Sequence, residues 1–176
     1  MSYEIERNSL RSKIICSKDY YNSDGVRDLA HQAKIGIKDA YIEIARSIAN
    51  EIKLPDDSIL IPVPSSNGHA TNNLEICNEI AKILKLEVQD CIKGIERKKL
   101  YDLKKDGFEP DLKYFDYKLI EEPKQGTIFL FDVVVDKANT MMAAKSLFNR
   151  EKVYCMSHSM VDLHKERNLE IHGLEY

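Results

Sequence analysis

The sequence has no excess of basic charge: 26 Lys and Arg stand against 29 Asp and Glu in 176 residues, a formal charge of −3. Such a chain has no general electrostatic attraction to DNA, RNA or an anionic membrane, so any anion site must be local. No apolar run approaches the roughly 18 residues of a membrane span. The opening Met1-Ser-Tyr-Glu-Ile lacks the basic and apolar regions of a secretory signal, so a cytoplasmic protein is expected. Cysteine is sparse: Cys16, Cys77, Cys91 and Cys155 lie far apart, with no Cys-x-x-Cys pair and no histidine at metal-ligand spacing. They read as buried free thiols rather than a disulfide framework or a zinc site. The five histidines are equally scattered, and His158 and His164 read as packing or surface residues. Repeats, low-complexity tracts and a domain linker are also lacking. A chain of this length with 43% hydrophobic content suits a single domain, 1–176, around one sizeable core.

What is present is an alternation of strand and helix. After Asn22-Ser-Asp-Gly25, Leu29, Ala33, Ile37, Tyr41, Ile44, Ile48 and Ile52 recur at helical spacing. They predict one long amphipathic helix over 28–53, ended by Pro55-Asp-Asp57. Residues 58–64 read as a short apolar strand, and Ser65-Ser-Asn-Gly-His-Ala70 as the polar loop after it. Asn72 and Glu75 make a capping-box-like start for a helix carrying Leu74, Cys77, Ala81 and Leu84 on one face. Residues 86–92 alternate as a strand, 93–124 are polar with weak periodicity, and 152–160 read as a last strand. Strands separated by helices predict an α/β fold, a three-layer, mostly parallel twisted sheet flanked by helices.

The richest stretch is Gly126-Thr-Ile-Phe-Leu-Phe-Asp-Val-Val-Val-Asp-Lys-Ala-Asn-Thr140. Its apolar run over 128–135 is short and rich in β-branched and aromatic residues, as in a strand covered on both faces. Asp132 places a charge near the strand's end, and Asp136, Lys137, Ala138 and Asn139 make the turn into a helix starting near Thr140. Ligands of open α/β sheets bind outside the carboxyl ends of strands, where a helix start offers free N–H groups to a phosphate. Two readings of this turn stand: an anion cradle to which Thr140 adds a hydroxyl, or a plain helix cap by Asp136 or Asn139. The loop of Ser65, Ser66, Asn67, Gly68 and His69 has the same pair of readings, anion-binding or simple connection. In a parallel sheet both loops fall on one edge and can face one ligand.

Residues 128–140 resemble the motif by which type I phosphoribosyltransferases bind 5-phosphoribosyl 1-pyrophosphate (PRPP): apolar residues, two acidic residues, two apolar residues, then usually Thr-Thr-Gly-x-Thr. The resemblance puts Asp132 on the ribose hydroxyls and wraps residues Asp136 to Thr140 around the 5′-phosphate. Asp136 takes the place where the 6-oxopurine branch has an aspartate that exchanges a proton with the base, which makes Asp132 and Asp136 the candidate catalytic residues. Ile61-Pro-Val-Pro-Ser-Ser-Asn-Gly-His69 is similar to the strand and pyrophosphate loop of the competence-associated, ComF-like members, and Asn73 and Glu75 loosely match their helix opening. The likeness runs over about 26–160. It implies a variable acceptor hood from residues 1–25 and the segment after 160, Mg²⁺ carried in with PRPP rather than held by protein ligands, and a homodimer or a partner protein. Arg97, Lys98 and Lys99, with Lys104 and Lys105, fall where the family's mobile loop closes over pyrophosphate, although the mixed charges at helical spacing favour a solvated helix face for the same stretch. Tyr101 and Phe108 read as base-stacking or as packing residues.

The motif departs from the family at three positions. Val133 stands at the second acidic position, and Lys137 and Ala138 replace the usual threonine and glycine. A Cβ at position 138 opposes the backbone conformation that aims successive N–H groups at a phosphate, whereas Lys137 offers a positive charge to it. Three functions follow as expectations: a phosphoribosyltransferase acting on a nucleobase-like acceptor, a degenerate member that senses nucleotides or serves as a regulatory or interaction module, and a hydrolase of nucleotide N-glycosidic bonds.

Overall fold

In the computed structural model, which describes residues 3–163, the chain runs α1 (Tyr3–Arg11), β1 (Ile15–Asp19), α2 (Val26–Lys34), α3 (Lys38–Glu51), β2 (Ser58–Pro62), α4 (Thr71–Leu84), β3 (Glu87–Val88), β4 (Ile92–Lys93), α5 (Leu100–Lys105), a 3-10 turn (Leu112–Phe115), β5 (Lys118–Leu119), β6 (Thr127–Val135), α6 (Asn139–Lys145) and β7 (Val153–Met160). The main sheet has the order β1-β7-β6-β2-β3, and every pairing in it is parallel. β4 and β5 form a separate antiparallel pair. Among the described residues no helix is long and apolar enough to cross a membrane. His164 and the end of the expected hood lie outside the described residues.

The near-continuous apolar sequence of β2 and β6 follows from burial on both faces. Leu60, Phe129, Phe131 and Val133 pack with α2, α3 and α4, while Ile59, Ile61, Ile128 and Leu130 pack toward α6, the 3-10 turn and the β4–β5 pair. Phe129 and Phe131 are fully buried, and burying each such side chain contributes about 1.5–3 kcal/mol. The cysteines are free. Burial pushes the Cys91 thiol up to about 11 and that of Cys155 up to about 12, so neither is poised as a nucleophile.

Four expectations are corrected. The helix over 28–53 is two helices, because Gly36, at φ 90°, lets the chain turn between Lys34 and Lys38. The apolar residues on either side keep helical phase across that turn, which hid the break. Asn72 and Glu75 do not cap α4. Asn72 instead accepts from the Tyr41 hydroxyl at 2.8 Å and donates to the Lys34 carbonyl at 3.0 Å, strapping α4 to α2 and α3. The strand over 86–92 is divided between β3 of the main sheet and β4 of the small one. Residues 15–19, expected in a hood, form β1 at the edge of the main sheet.

Candidate functional site

β2 and β6 are parallel neighbours, paired from Ser58 with Thr127 to Pro62 with Phe131, so the loops that follow them leave from the same edge of the sheet. A cavity of about 330 Å³ opens at the end of β6. One wall is the strand end and turn, from Asp132 and Val134 through Asp136, Lys137, Ala138, Asn139 and Thr140. The opposite wall is α5 and the segment after it, with Tyr101, Lys104, Phe108 and Glu109. All the candidate residues of the β6 turn therefore meet in one cavity, and the two aromatic residues considered for stacking also line it. Tyr101 is 67% and Phe108 51% exposed, which leaves both rings largely uncommitted to the core.

Asp132, on β6, is fixed by a residue of α4. Asn73 Nδ2 donates to Asp132 Oδ1 at 3.1 Å and to the Val63 carbonyl at 2.8 Å, and its Oδ1 accepts from the Val133 amide at 3.3 Å. One buried amide thus joins the end of β2 to the end of β6. Burial raises the carboxyl pKa of Asp132, and the Asn73 hydrogen bond works against that rise. Val133 lies in the opposite core layer with Phe129 and Phe131, 3% exposed and outside the cavity lining. A carboxylate there would have to be buried among apolar side chains, so valine suits that layer.

The turn makes the left-handed conformation despite its missing glycine. Ala138 has φ 62° and ψ 12° and is 4% exposed, and α6 starts immediately after it. The expected obstacle at this position is thus accommodated as strain, of about 1–2 kcal/mol for a residue with a Cβ. Asp136 pairs with Lys104 of α5. Lys137 Nζ lies 2.9 Å from Glu109 Oε1. Asn139 is buried and accepts from Arg7 Nη1 at 3.3 Å, and the same nitrogen lies 2.8 Å from Glu109 Oε1. Neither Arg7 nor Glu109 carries a local sequence signal. Each sits among other charges with no spacing that links it to the other, and their pairing spans 102 positions.

The second expected loop is organised differently. Ser65, Ser66, Asn67, Gly68 and His69 do not line the cavity. The Ser65 hydroxyl donates to Asn67 Oδ1 at 2.8 Å, and Asn67 Oδ1 also accepts from the His69 amide at 3.0 Å. Gly68 allows a close backbone approach, but to protein: a Cβ built on it would lie 2.6 Å from the Gly94 carbonyl oxygen, and the Gly94 amide donates to the Gly68 carbonyl at 3.0 Å. Arg97 completes the clasp, with its amide on the Ser66 carbonyl and its guanidinium on the Ser65 carbonyl, both at 2.8 Å. That guanidinium also stacks over Phe115 and Tyr117 at 4.9 and 5.3 Å from the ring centroids. Arg97 is therefore a structural cation in this arrangement and not a free one. Lys98 pairs with Asp106, and Lys99 is exposed immediately before α5.

Among the described residues no three His, Cys, Asp or Glu side chains gather in a way that would hold a metal ion.

No protein-family model matches the chain, and no curated protein matches it in sequence. Solved structures similar to it include an adenine phosphoribosyltransferase, 12% identical with a TM-score of 0.41 over 76% of this chain and 75% of that one. Another is the adenine phosphoribosyltransferase from Saccharomyces cerevisiae in complex with D-2,5-dideoxy-2,5-imino-altritol 1,6-bisphosphate and adenine, also 12% identical with a TM-score of 0.41, over 92% of each chain.

Proposed function

We propose that this is a phosphoribosyltransferase-like protein whose cavity at the end of β6 binds PRPP or a related nucleotide. The observation that carries this reading is the convergence on one cavity of a buried-edge carboxylate, Asp132, and the Asp136 to Thr140 turn, with Tyr101 and Phe108 opposite. Asp132 accepts hydrogen bonds from ribose hydroxyls, the turn takes the 5′-phosphate, and the two rings flank a base. Phosphoribosyl transfer would make pyrophosphate depart from the anomeric carbon as positive charge develops on the ribose. That step requires a neutralised leaving group and exclusion of water. Asp136, once released from Lys104, would exchange a proton with the base.

A second reading, nucleotide binding without turnover, is favoured by one observation: the Ser65 to His69 loop and Arg97 spend their polar groups on each other. The two readings, and N-glycosidic hydrolysis, separate in one set of assays. PRPP with Mg²⁺ raises the melting temperature if the cavity binds it, and Asp132→Asn erases most of that ligand-induced increment. No increment in the native protein overturns the binding claim. Pyrophosphate released on adding a nucleobase identifies transfer, and free base released from a nucleotide identifies hydrolysis.

A further inference from the structure

Glu109 holds two cations with one oxygen. Its Oε1 lies 2.9 Å from Lys137 Nζ and 2.8 Å from Arg7 Nη1. The Arg7 side chain is 8% exposed, whereas that of Glu109 is 55% exposed. An exposed carboxylate is well solvated by water and has little need of two cations. A guanidinium and an ammonium brought to one point, by contrast, repel each other and need an anion between them. Lys137 and then Arg7 hold the Glu109 carboxyl down at about 2, so it is charged at any physiological pH. Glu109 lies in the wall of the cavity, and that wall is tied to the β6 turn by this contact and by the Lys104–Asp136 pair.

We propose that Arg7 and Lys137 form the anion subsite for the phosphate monoester of the ligand, and that Glu109 occupies it as an internal competitor which the phosphate displaces. The inference takes the nature of the ligand from the ribose-phosphate reading above. A phosphate monoester brings up to two negative charges and three acceptor oxygens to a place where Glu109 brings one charge, so the exchange favours the ligand electrostatically. Glu109 is already half in solvent, and its release costs little. Because Glu109 belongs to the wall that faces the β6 turn, its release removes one of the two ion pairs that tie that wall to the turn and leaves only the Lys104–Asp136 pair to hold it. Arg7 reaches Glu109 and Asn139 from α1, behind the cavity wall and outside the stretch in which the phosphoribosyltransferase likeness lies.

Calorimetric titration of the full chain and of Glu109→Gln with orthophosphate and with ribose 5-phosphate tests this, with circular dichroism verifying the fold of each variant. Removing the competing charge should tighten both ligands by about two- to fivefold, and adding Arg7→Gln to Glu109→Gln should abolish that gain. If Glu109→Gln binds ribose 5-phosphate no tighter than the native protein, the inference is overturned while the ribose-phosphate reading stands. If both ligands tighten but ribose adds nothing to the affinity for orthophosphate, the subsite stands and the ribose reading falls. Absence of binding of either ligand to either protein overturns both.

Discussion

Asn73, the third residue of α4, donates to the carboxylate of Asp132 at 3.1 Å, although the two lie 59 positions apart. The same side chain satisfies the Val63 carbonyl and the Val133 amide. Removing it leaves those buried backbone groups without their partner. Asn73→Ala should therefore destabilise the protein by about 1–3 kcal/mol in urea unfolding. It should also raise the Asp132 pKa further, since the lost hydrogen bond is what opposes the effect of burial. An unchanged midpoint would mean that water replaces the amide at no cost.

Asp132 itself favours folding in its protonated form, because its folded pKa lies above the ordinary carboxylate value of 3.8. Its penalty on stability is absent below that value and grows as pH rises through the folded pKa. Asp132→Asn should thus be more stable than the native protein at neutral pH, with the difference shrinking toward pH 3.8. Parallel pH–stability curves for the two proteins would contradict this.

His158 acts in the opposite sense. It is 1% exposed on β7, and burial, with Lys18 nearby, lowers its pKa to about 4 from 6.5. The folded protein keeps the imidazole neutral while the unfolded chain takes up a proton, so its contribution is complete above about pH 6.5. It is lost as pH falls through the window down to about 4, by on the order of 3 kcal/mol. His158→Leu should flatten that part of the stability curve, and an unchanged slope would refute the assignment.

Two backbone positions give substitutions of opposite sign. At Ala138, φ 62° strains a residue with a Cβ, so Ala138→Gly should stabilise the fold by about 0.5–1 kcal/mol after the greater freedom of glycine in the unfolded chain is counted. At Gly68, φ 81° and the Gly94 carbonyl leave no room for a methyl group, and Gly68→Ala should destabilise by about 2–4 kcal/mol. Denaturant midpoints check both. A destabilised Ala138→Gly protein would mean that the turn is not left-handed.

These positions also mark where the sequence was informative. The strand over 128–135, the acid at 132 and the turn into a helix were readable because strand burial and helix starts leave local patterns, and β6 and α6 follow them closely. The parallel sheet was readable from the alternation of elements. The break at Gly36 was not, because Ala33, Ile37 and Tyr41 keep one helical phase across it. The fate of Ser65 to His69 was hidden for another reason: their partners, Gly94 and Arg97, come from a stretch whose charges and weak periodicity resemble any solvated surface. Arg7 and Glu109 were likewise invisible, since an ion pair between distant single charges has no spacing to detect.

A phosphate seated on the turn between β6 and α6 is the proposal on which the other site roles depend. A crystal structure with ribose 5-phosphate tests it most directly. The phosphate should lie within hydrogen-bonding distance of the backbone amides of residues 137–140 and of Lys137, with the ribose hydroxyls toward Asp132 and Glu109 moved away. A phosphate bound elsewhere, or a ligand in the cavity with its phosphate toward Tyr101 and Phe108, would contradict it.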